Sequence, residues 1–203
     1  MTCDSEKIQN FGKRRLSRIK PTTEIIDSCK AFLVGYQPSS EFSDDAYVWL
    51  TCALALEAVD GGNFGVGGIL IDEGGDVVAQ GHNEVFNPYF RSDRHSEMVV
   101  MDHFEDANPK LTSLKGYTFY SSLEPCPMCL VRLSTSGVRK VLYAAPDVEG
   151  GMISRMSDLP PLWLELCQTK TFAQAQCSQD LVNVATQLFL FNLDELFATI
   201  TKR

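Results

Sequence analysis

The spacing of apolar residues predicts a helix over residues 41 to 60. Ser43, followed by two acids, is a favourable helix start, and Gly61 with Gly62 is typical of a helix end. Between them, apolar side chains recur at intervals of three and four residues, at Tyr47, Leu50, Leu54 and Ala58. Because these intervals return to one side of a helix, we expect an amphipathic helix that packs against a core.

Segments with a strand pattern follow this helix. Residues 66 to 71 form a short apolar run, and the glycine-rich turn at 72 to 76 leads into a second run at 77 to 83, which predicts a β-hairpin. The later segments predict a helix at 96 to 106, a strand at 116 to 122, a helix at 130 to 137 and a strand at 138 to 146. This order predicts an α/β fold in which helices pack over a mixed sheet.

The two ends of the chain differ from this central region. Residues 1 to 40 are interpreted as an N-terminal extension that is partly flexible, and the basic run at 12 to 20 as a solvated leader rather than a nucleic-acid arm. The central domain spans residues 41 to 157. Residues 158 to 203 are predicted to form a helical extension packed on the same domain, with a break near Asn192.

Composition narrows the class of protein. With 203 residues, of which 44% are hydrophobic, the chain is long enough to bury its own core as one globular domain. A formal net charge of -8 argues against a broad surface for binding phosphate backbones. Seven cysteines do not fit a secreted disulfide framework, and no apolar run reaches the ~20 residues of a membrane span. We therefore expect a cytoplasmic protein outside the membrane.

Cys126 and Cys129 form a Cys-x-x-Cys pair, which alone is equally compatible with a metal site, a redox couple or inert packing. Upstream, His95 stands two residues before Glu97 at a predicted helix start. One imidazole and two thiolates give zinc three ligands and leave its fourth position for water. Glu97 is then placed to move a proton, although an ordinary helix acid and a capping histidine are the plain alternatives.

The pattern His-x-Glu followed by Pro-Cys-x-x-Cys resembles the cytidine-deaminase-like superfamily, in particular its tRNA adenosine, guanine and fungal-type cytosine deaminases. The resemblance extends over roughly residues 45 to 150. It implies a three-layer α/β fold with a mixed sheet of about five strands, zinc held by His95, Cys126 and Cys129, and Glu97 as proton shuttle. The helices after residue 158 exceed what a minimal enzyme needs, and they could close over the site or supply the face of a homodimer.

The resemblance also suggests substrate contacts. Asn83 matches an asparagine that commonly binds the base, and Phe86 and Phe90 could stack on a planar ring. A turn role for Asn83 and loop packing for the two aromatics are the alternatives. The expected substrate is a small base or nucleoside, with guanine or another aminopurine first and cytosine second. A tRNA adenosine-to-inosine deaminase ranks behind it, and a non-catalytic partner of such an enzyme is a further alternative.

Overall fold

The computed structural model describes residues 5–203, which contain one five-stranded sheet. The strands are β1 (Gly67–Ile71), β2 (Val77–His82), β3 (Thr118–Leu123), β4 (Lys140–Ala145) and β5 (Thr171–Gln174). Their order across the sheet is β2-β1-β3-β4-β5. Strand β1 is antiparallel to both neighbours, whereas β3, β4 and β5 run parallel. The mixed sheet of about five strands is therefore confirmed.

Helices cover both faces of this sheet. They are α1 (Ser5–Leu16), α2 (Glu24–Gly35), α3 (Asp45–Asp60), α4 (Ser96–Ala107), α5 (Pro127–Thr135), α6 (Pro161–Gln168), α7 (Gln179–Leu190) and α8 (Leu193–Thr201). On one face α3 and α7 share a buried apolar cluster with side chains of β1, β3 and β4, and on the other face α4 and α5 do the same. The predicted three-layer α/β architecture is confirmed. Among residues 5–203, no helix is long and apolar enough to span a bilayer.

Helix α3 forms the centre of the larger cluster and is buried nearly all round. Trp49, Thr51 and Ala53 lie between the predicted apolar positions and yet have no exposed surface. The prediction of an amphipathic helix is wrong in this respect, because α1, α2 and α7 also pack against α3 and cover the sides that the sheet does not. A helix covered on all sides needs small or apolar residues throughout.

The N-terminal segment packs on α3 instead of forming a leader. Leu16 and Leu33 are completely buried, and the indole nitrogen of Trp49 donates a hydrogen bond of 2.9 Å to the Leu33 carbonyl. Gly12 is needed here, since a Cβ at this position would lie 2.5 Å from the Trp49 ring. Helices α1 and α2 of the N-terminal extension are thus packed on the domain, and its partial flexibility stays a prediction; residues 1 to 4 lie outside the described part of the chain. Within the basic run at 12 to 20, Leu16 and Ile19 are buried in the core, so one side of this segment packs on the domain.

The C-terminal extension packs on the same domain, and its predicted break near Asn192 is confirmed because α7 ends at Leu190 and α8 begins at Leu193. Close packing of α7 depends on Gly65, where a Cβ would collide with the Leu188 carbonyl. None of the residues of α8 is buried. Helix α8 therefore lies on the outside of the domain and is held less firmly than α7.

Two chain segments are joined to the start of α3 by one fully buried acid, Asp45. One carboxylate oxygen accepts hydrogen bonds from the Tyr36 hydroxyl at 2.7 Å and the Ser39 amide at 2.8 Å. The other accepts from the Ser178 amide at 2.8 Å. Asp45 therefore fixes the segment after α2 and the start of α7 together. Both of its carboxylate oxygens are needed as acceptors, and an asparagine side chain would supply only one.

We predict that Asp45→Asn lowers the free energy of unfolding by about 2 kcal/mol, because the new amide group faces hydrogen-bond donors and leaves one of them unpaired. Urea unfolding followed by circular dichroism measures the change. Asp60→Asn, at the exposed end of the same helix, is the matched control and should stay close to the parent. Equal stability of the two variants would contradict the assigned role of Asp45.

Candidate metal centre and active site

Three potential metal ligands meet at the starts of two neighbouring helices. His95 is the N-cap residue of α4, Cys126 is the N-cap residue of α5, and Cys129 lies in the first turn of α5. The Nδ1 atom of His95 lies 3.6 Å from the sulfur of Cys126 and 3.6 Å from that of Cys129. All three ligand atoms lie within 4.8 Å of one another.

The spacing of these atoms fits zinc. In a tetrahedral site with Zn–S of about 2.3 Å and Zn–N of about 2.0 Å, nitrogen and sulfur are separated by roughly 3.6 Å. The donor set of one imidazole and two thiols is also one that zinc prefers, and three protein ligands leave one position open. His95, Cys126 and Cys129 are therefore positioned to bind zinc, as predicted.

Electrostatics prepare one of the two sulfurs for this role. The pKa of Cys126 falls to about 4, mainly through its contact with Cys129; burial opposes this effect and His95 reinforces it. The pKa of Cys129 is raised well above its ordinary range by the same contact and by burial, which favours its thiol form. Metal binding displaces the proton of this thiol.

Glu97 lies next to the ligands and is 3% exposed. Its carboxylate accepts hydrogen bonds from the Ser96 hydroxyl at 2.9 Å, the Cys129 thiol at 3.2 Å and the Ser121 hydroxyl at 3.3 Å. Burial raises the pKa of this carboxyl. A carboxylate that is desolvated and oriented by neighbouring donors is suited to accept and return a proton.

The two serines around Glu97 were not identified as site residues from the sequence. Ser96 occupies the variable position of the His-x-Glu motif, and Ser121 lies on β3 among side chains that are all buried. A polar residue in a completely buried strand was the available signal, since such residues normally have a specific hydrogen-bond partner.

A cavity of about 720 Å³ opens in front of these residues. One part of its wall consists of residues 146 to 150, and another consists of side chains from α7 and α8. Phe64, Val66 and Asn83 complete the lining. Of the two roles considered for the C-terminal helices, this arrangement corresponds to the first, in which they close over the site.

The predicted substrate contacts fall into two groups. Asn83 lines the cavity, is 3% exposed, and accepts a hydrogen bond from the Val85 amide at 3.1 Å through its side-chain oxygen. Phe86 and Phe90 do not line the cavity. They form an aromatic cluster with Phe64: the ring centres of Phe64 and Phe86 are 5.5 Å apart, and those of Phe86 and Phe90 are 5.6 Å apart. The Arg203 guanidinium lies 3.8 Å above the Phe90 ring.

This placement of Phe86 and Phe90 corresponds to the loop-packing alternative. Their rings fill the space between the loop after β2 and the end of the chain, so they can act on a substrate only by supporting Phe64. Phe64 itself was not singled out from the sequence, because it lies beyond the end of α3, far along the chain from the histidine.

The fold and the donor set together define a zinc-dependent hydrolytic deaminase, an enzyme that acts on carbon–nitrogen bonds. The chain belongs to the family described as the cytidine and deoxycytidylate deaminase zinc-binding region, whose model matches residues 42–145. The matched segment contains the three predicted metal ligands and Glu97. The resemblance inferred from the motifs is confirmed.

The relatives of this chain include deaminases that are named for different substrates. The chain is 34% identical over 118 residues to a tRNA-specific adenosine deaminase of Bacillus subtilis, covering 57% of this chain and 70% of that protein. It is 27% identical over 129 residues to a probable cytosine deaminase of Schizosaccharomyces pombe, covering 62% of this chain and 76% of that protein.

Two solved structures show the same fold. A structure from a study of tRNA:A34 deaminases has a TM-score of 0.56 at 21% identity and covers 68% of this chain and 94% of its own. A guanine deaminase from Nitrosomonas europaea has a TM-score of 0.54 at 17% identity and covers 83% of this chain and 93% of its own. At these identities the likeness concerns the fold alone.

We predict that the purified protein contains about one zinc ion per chain, as a three-ligand catalytic site requires. Cys126→Ser, Cys129→Ser and His95→Ala should each reduce the zinc content strongly, because the remaining two ligands hold the ion poorly. Inductively coupled plasma mass spectrometry measures the metal directly. Cys177→Ser, at a cysteine outside the ligand set, should keep full zinc, and loss of zinc in that variant alone would contradict the assignment.

Proposed function

We propose that this protein deaminates a free amino-substituted nucleobase or its nucleoside, with guanine or a related aminopurine ahead of cytosine. The observation that carries the proposal is the character of the cavity, which α8 covers and which contains no positive side chain. Among its lining residues in the described part of the chain, none is lysine or arginine. A cavity of this kind suits an uncharged planar ring better than a phosphate backbone.

The walls of the cavity match an aminopurine in shape and polarity. Phe64, Phe189 and Phe197 provide aromatic surface for a planar ring. Glu149 and Asp194 also line the cavity, and their carboxylates can accept hydrogen bonds from amino and ring N–H groups. Guanine carries more such donors than cytosine, which is the reason for ranking it first.

Of the four arginines that could have formed a basic groove beside the site, three are paired with acids, whereas Arg139 donates a hydrogen bond of 3.3 Å to the Thr169 carbonyl. Arg94 contacts Glu84 at 2.7 Å, and Arg132 contacts Glu105 at 2.7 Å. Arg91 contacts Asp93 at 2.7 Å. Residues 12 to 20 belong to α1 and the turn after it, and α1 packs on the outer side of α3 rather than on the cavity. These pairings weigh against an extended phosphate-binding surface next to the metal ligands.

The mechanism follows from the positions of the chain's own groups. His95, Cys126 and Cys129 would hold zinc, which would supply Lewis-acid activation of water when bound. Glu97 takes one proton from the attacking water while the water oxygen bonds to the ring carbon that carries the amino group. Glu97 then delivers that proton to the departing nitrogen, so the carbon–nitrogen bond breaks and ammonia leaves; the second water proton moves from the added oxygen to the ring nitrogen, which leaves a carbonyl. Asn83 helps to hold the ring in place during these steps.

A tRNA adenosine-to-inosine deaminase is the second candidate. It is supported by the relatives, since the Bacillus subtilis protein that shares 34% identity with this chain is a tRNA-specific adenosine deaminase. A nucleotide of a folded RNA would have to reach the ligands past α8. The further alternative, a non-catalytic partner, is disfavoured by Glu97 and its complete set of hydrogen-bond donors. The homodimer and the cytoplasmic location stay predictions.

We predict ammonia release from guanine in a panel that also contains cytosine, adenine, their nucleosides and a tRNA transcript with adenosine at position 34. Glu97→Gln should lower kcat by about 10²–10⁴-fold, because it removes the proton shuttle. The variant should retain zinc. Inosine formed in the tRNA without ammonia from any free base would favour the second candidate, and full activity of Glu97→Gln would contradict the mechanism.

We also predict that Phe197→Ala raises KM for the preferred base by about three- to tenfold, because one aromatic contact to a planar ring is lost. Steady-state kinetics measure the change. Thr199→Ala, also on α8 but outside the cavity lining, is the matched control. Identical KM values for the two variants would show that α8 does not contact the substrate.

A further inference from the structure

A second buried carboxylate, Glu124, lines the cavity and has no part in the mechanism above. It is 4% exposed and immediately precedes the turn that carries Cys126. One of its oxygens accepts a hydrogen bond from the Asp147 amide at 3.1 Å, and the other accepts from the Ser154 amide at 3.0 Å. Its own amide donates to the Ala145 carbonyl at 2.8 Å.

The surroundings of Glu124 differ from those of Glu97. Glu97 is contacted by hydroxyl and thiol groups, whereas the contacts of Glu124 are backbone N–H groups, which do not act as acids or bases near neutral pH. Two hydrogen bonds from backbone amides to one carboxylate fix the segment that donates them. Glu124 is therefore built to hold the chain rather than to move a proton.

The segment that Glu124 holds, residues 146 to 154, contains the cavity wall formed by residues 146 to 150. Its tight fit requires Gly151, because a Cβ there would lie 2.5 Å from the carboxyl carbon of Glu124. The Met152 amide adds a hydrogen bond of 3.0 Å to the Pro125 carbonyl. The wall is thus fastened to the two residues that lead directly into Cys126, so metal ligands and cavity wall share one support.

We propose that Glu124 is a positioning residue that keeps residues 146 to 154 in register with the metal ligands, and that this segment is the wall that selects the substrate. Glu149 belongs to this segment and lines the cavity, and its carboxylate can accept hydrogen bonds from the amino and ring N–H groups of a base. The identity of the ligand as a base rests on the proposed function. The fastening of the wall by Glu124 does not.

Glu124→Gln tests the proposal. The new amide group faces one of two N–H donors and breaks that hydrogen bond, so exchange of the Asp147 and Ser154 amides should accelerate by about tenfold or more in hydrogen–deuterium exchange. Zinc content should stay at the parent level. KM for the preferred base should rise by about tenfold while kcat changes less than about threefold, because the wall contacts the bound ring and not the proton path.

Two further variants keep the test decisive. Asp158→Asn removes an exposed carboxylate just beyond the segment and should change neither exchange nor KM. Gly151→Ala pushes the wall away from an intact Glu124 and should reproduce the rise in KM with zinc retained. Unchanged exchange in Glu124→Gln would overturn the fastening, and faster exchange with unchanged KM would overturn the selecting role.

The remaining outcomes are also distinguishable. Loss of zinc in both Glu124→Gln and Gly151→Ala would mean that the contact supports the metal site instead, which would overturn the proposal. If no base is deaminated by the parent protein, the proposed function fails, and the exchange measurement alone still decides whether Glu124 fastens the wall.

Discussion

Helices α4 and α5 pack side by side on one face of the sheet, and this contact places the His95 nitrogen 3.6 Å from both ligand sulfurs. The two helices begin at the same edge, so their N-termini converge on one point and favour the thiolate form of a ligand there. Arg132 on α5 strengthens the contact through ion pairs with Asp102 and Glu105 of α4. If the helices separated, the donor set would no longer fit one metal ion.

The hydrogen-bond donors around two buried carboxylates, Glu97 and Glu124, give them distinct roles. Glu97 accepts from hydroxyl and thiol groups, whereas Glu124 accepts from backbone amides. The first arrangement suits proton transfer and the second suits attachment of a loop. Helix α8 then limits access from the other side, so the reactive groups, the wall and the cover come from three separate parts of the chain.

The metal centre could be predicted because its residues follow a short pattern whose chemistry is specific. His95, Glu97, Cys126 and Cys129 need only two helix starts to meet; the start of α4 was predicted, and the second helix was predicted to begin at residue 130 although α5 begins at Pro127. The hairpin, the two following helices and the break near Asn192 were also accessible from local patterns. The four-residue strand β5 was not, since its residues are half-exposed and no alternation distinguishes them.

Features that depend on distant contacts were predicted less well. The basic residues at 12 to 20 suggested a solvated arm, but Leu16 and Ile19 anchor that segment to the core. Phe86 and Phe90 have the right chemistry for stacking on a base, but the loop turns them toward Phe64 and Arg203. In each case the local sequence is compatible with both outcomes, and packing against another part of the chain decides between them.

X-ray absorption spectroscopy at the zinc edge tests the central claim most directly, because it reports the atoms around the metal. The account predicts two sulfur atoms at about 2.3 Å and two lighter atoms at about 2.0–2.1 Å, one from His95 and one from solvent. Four protein ligands, with no position left for solvent, would contradict a catalytic centre. Zinc-free protein with Cys126 and Cys129 joined as a disulfide would contradict a metal site altogether.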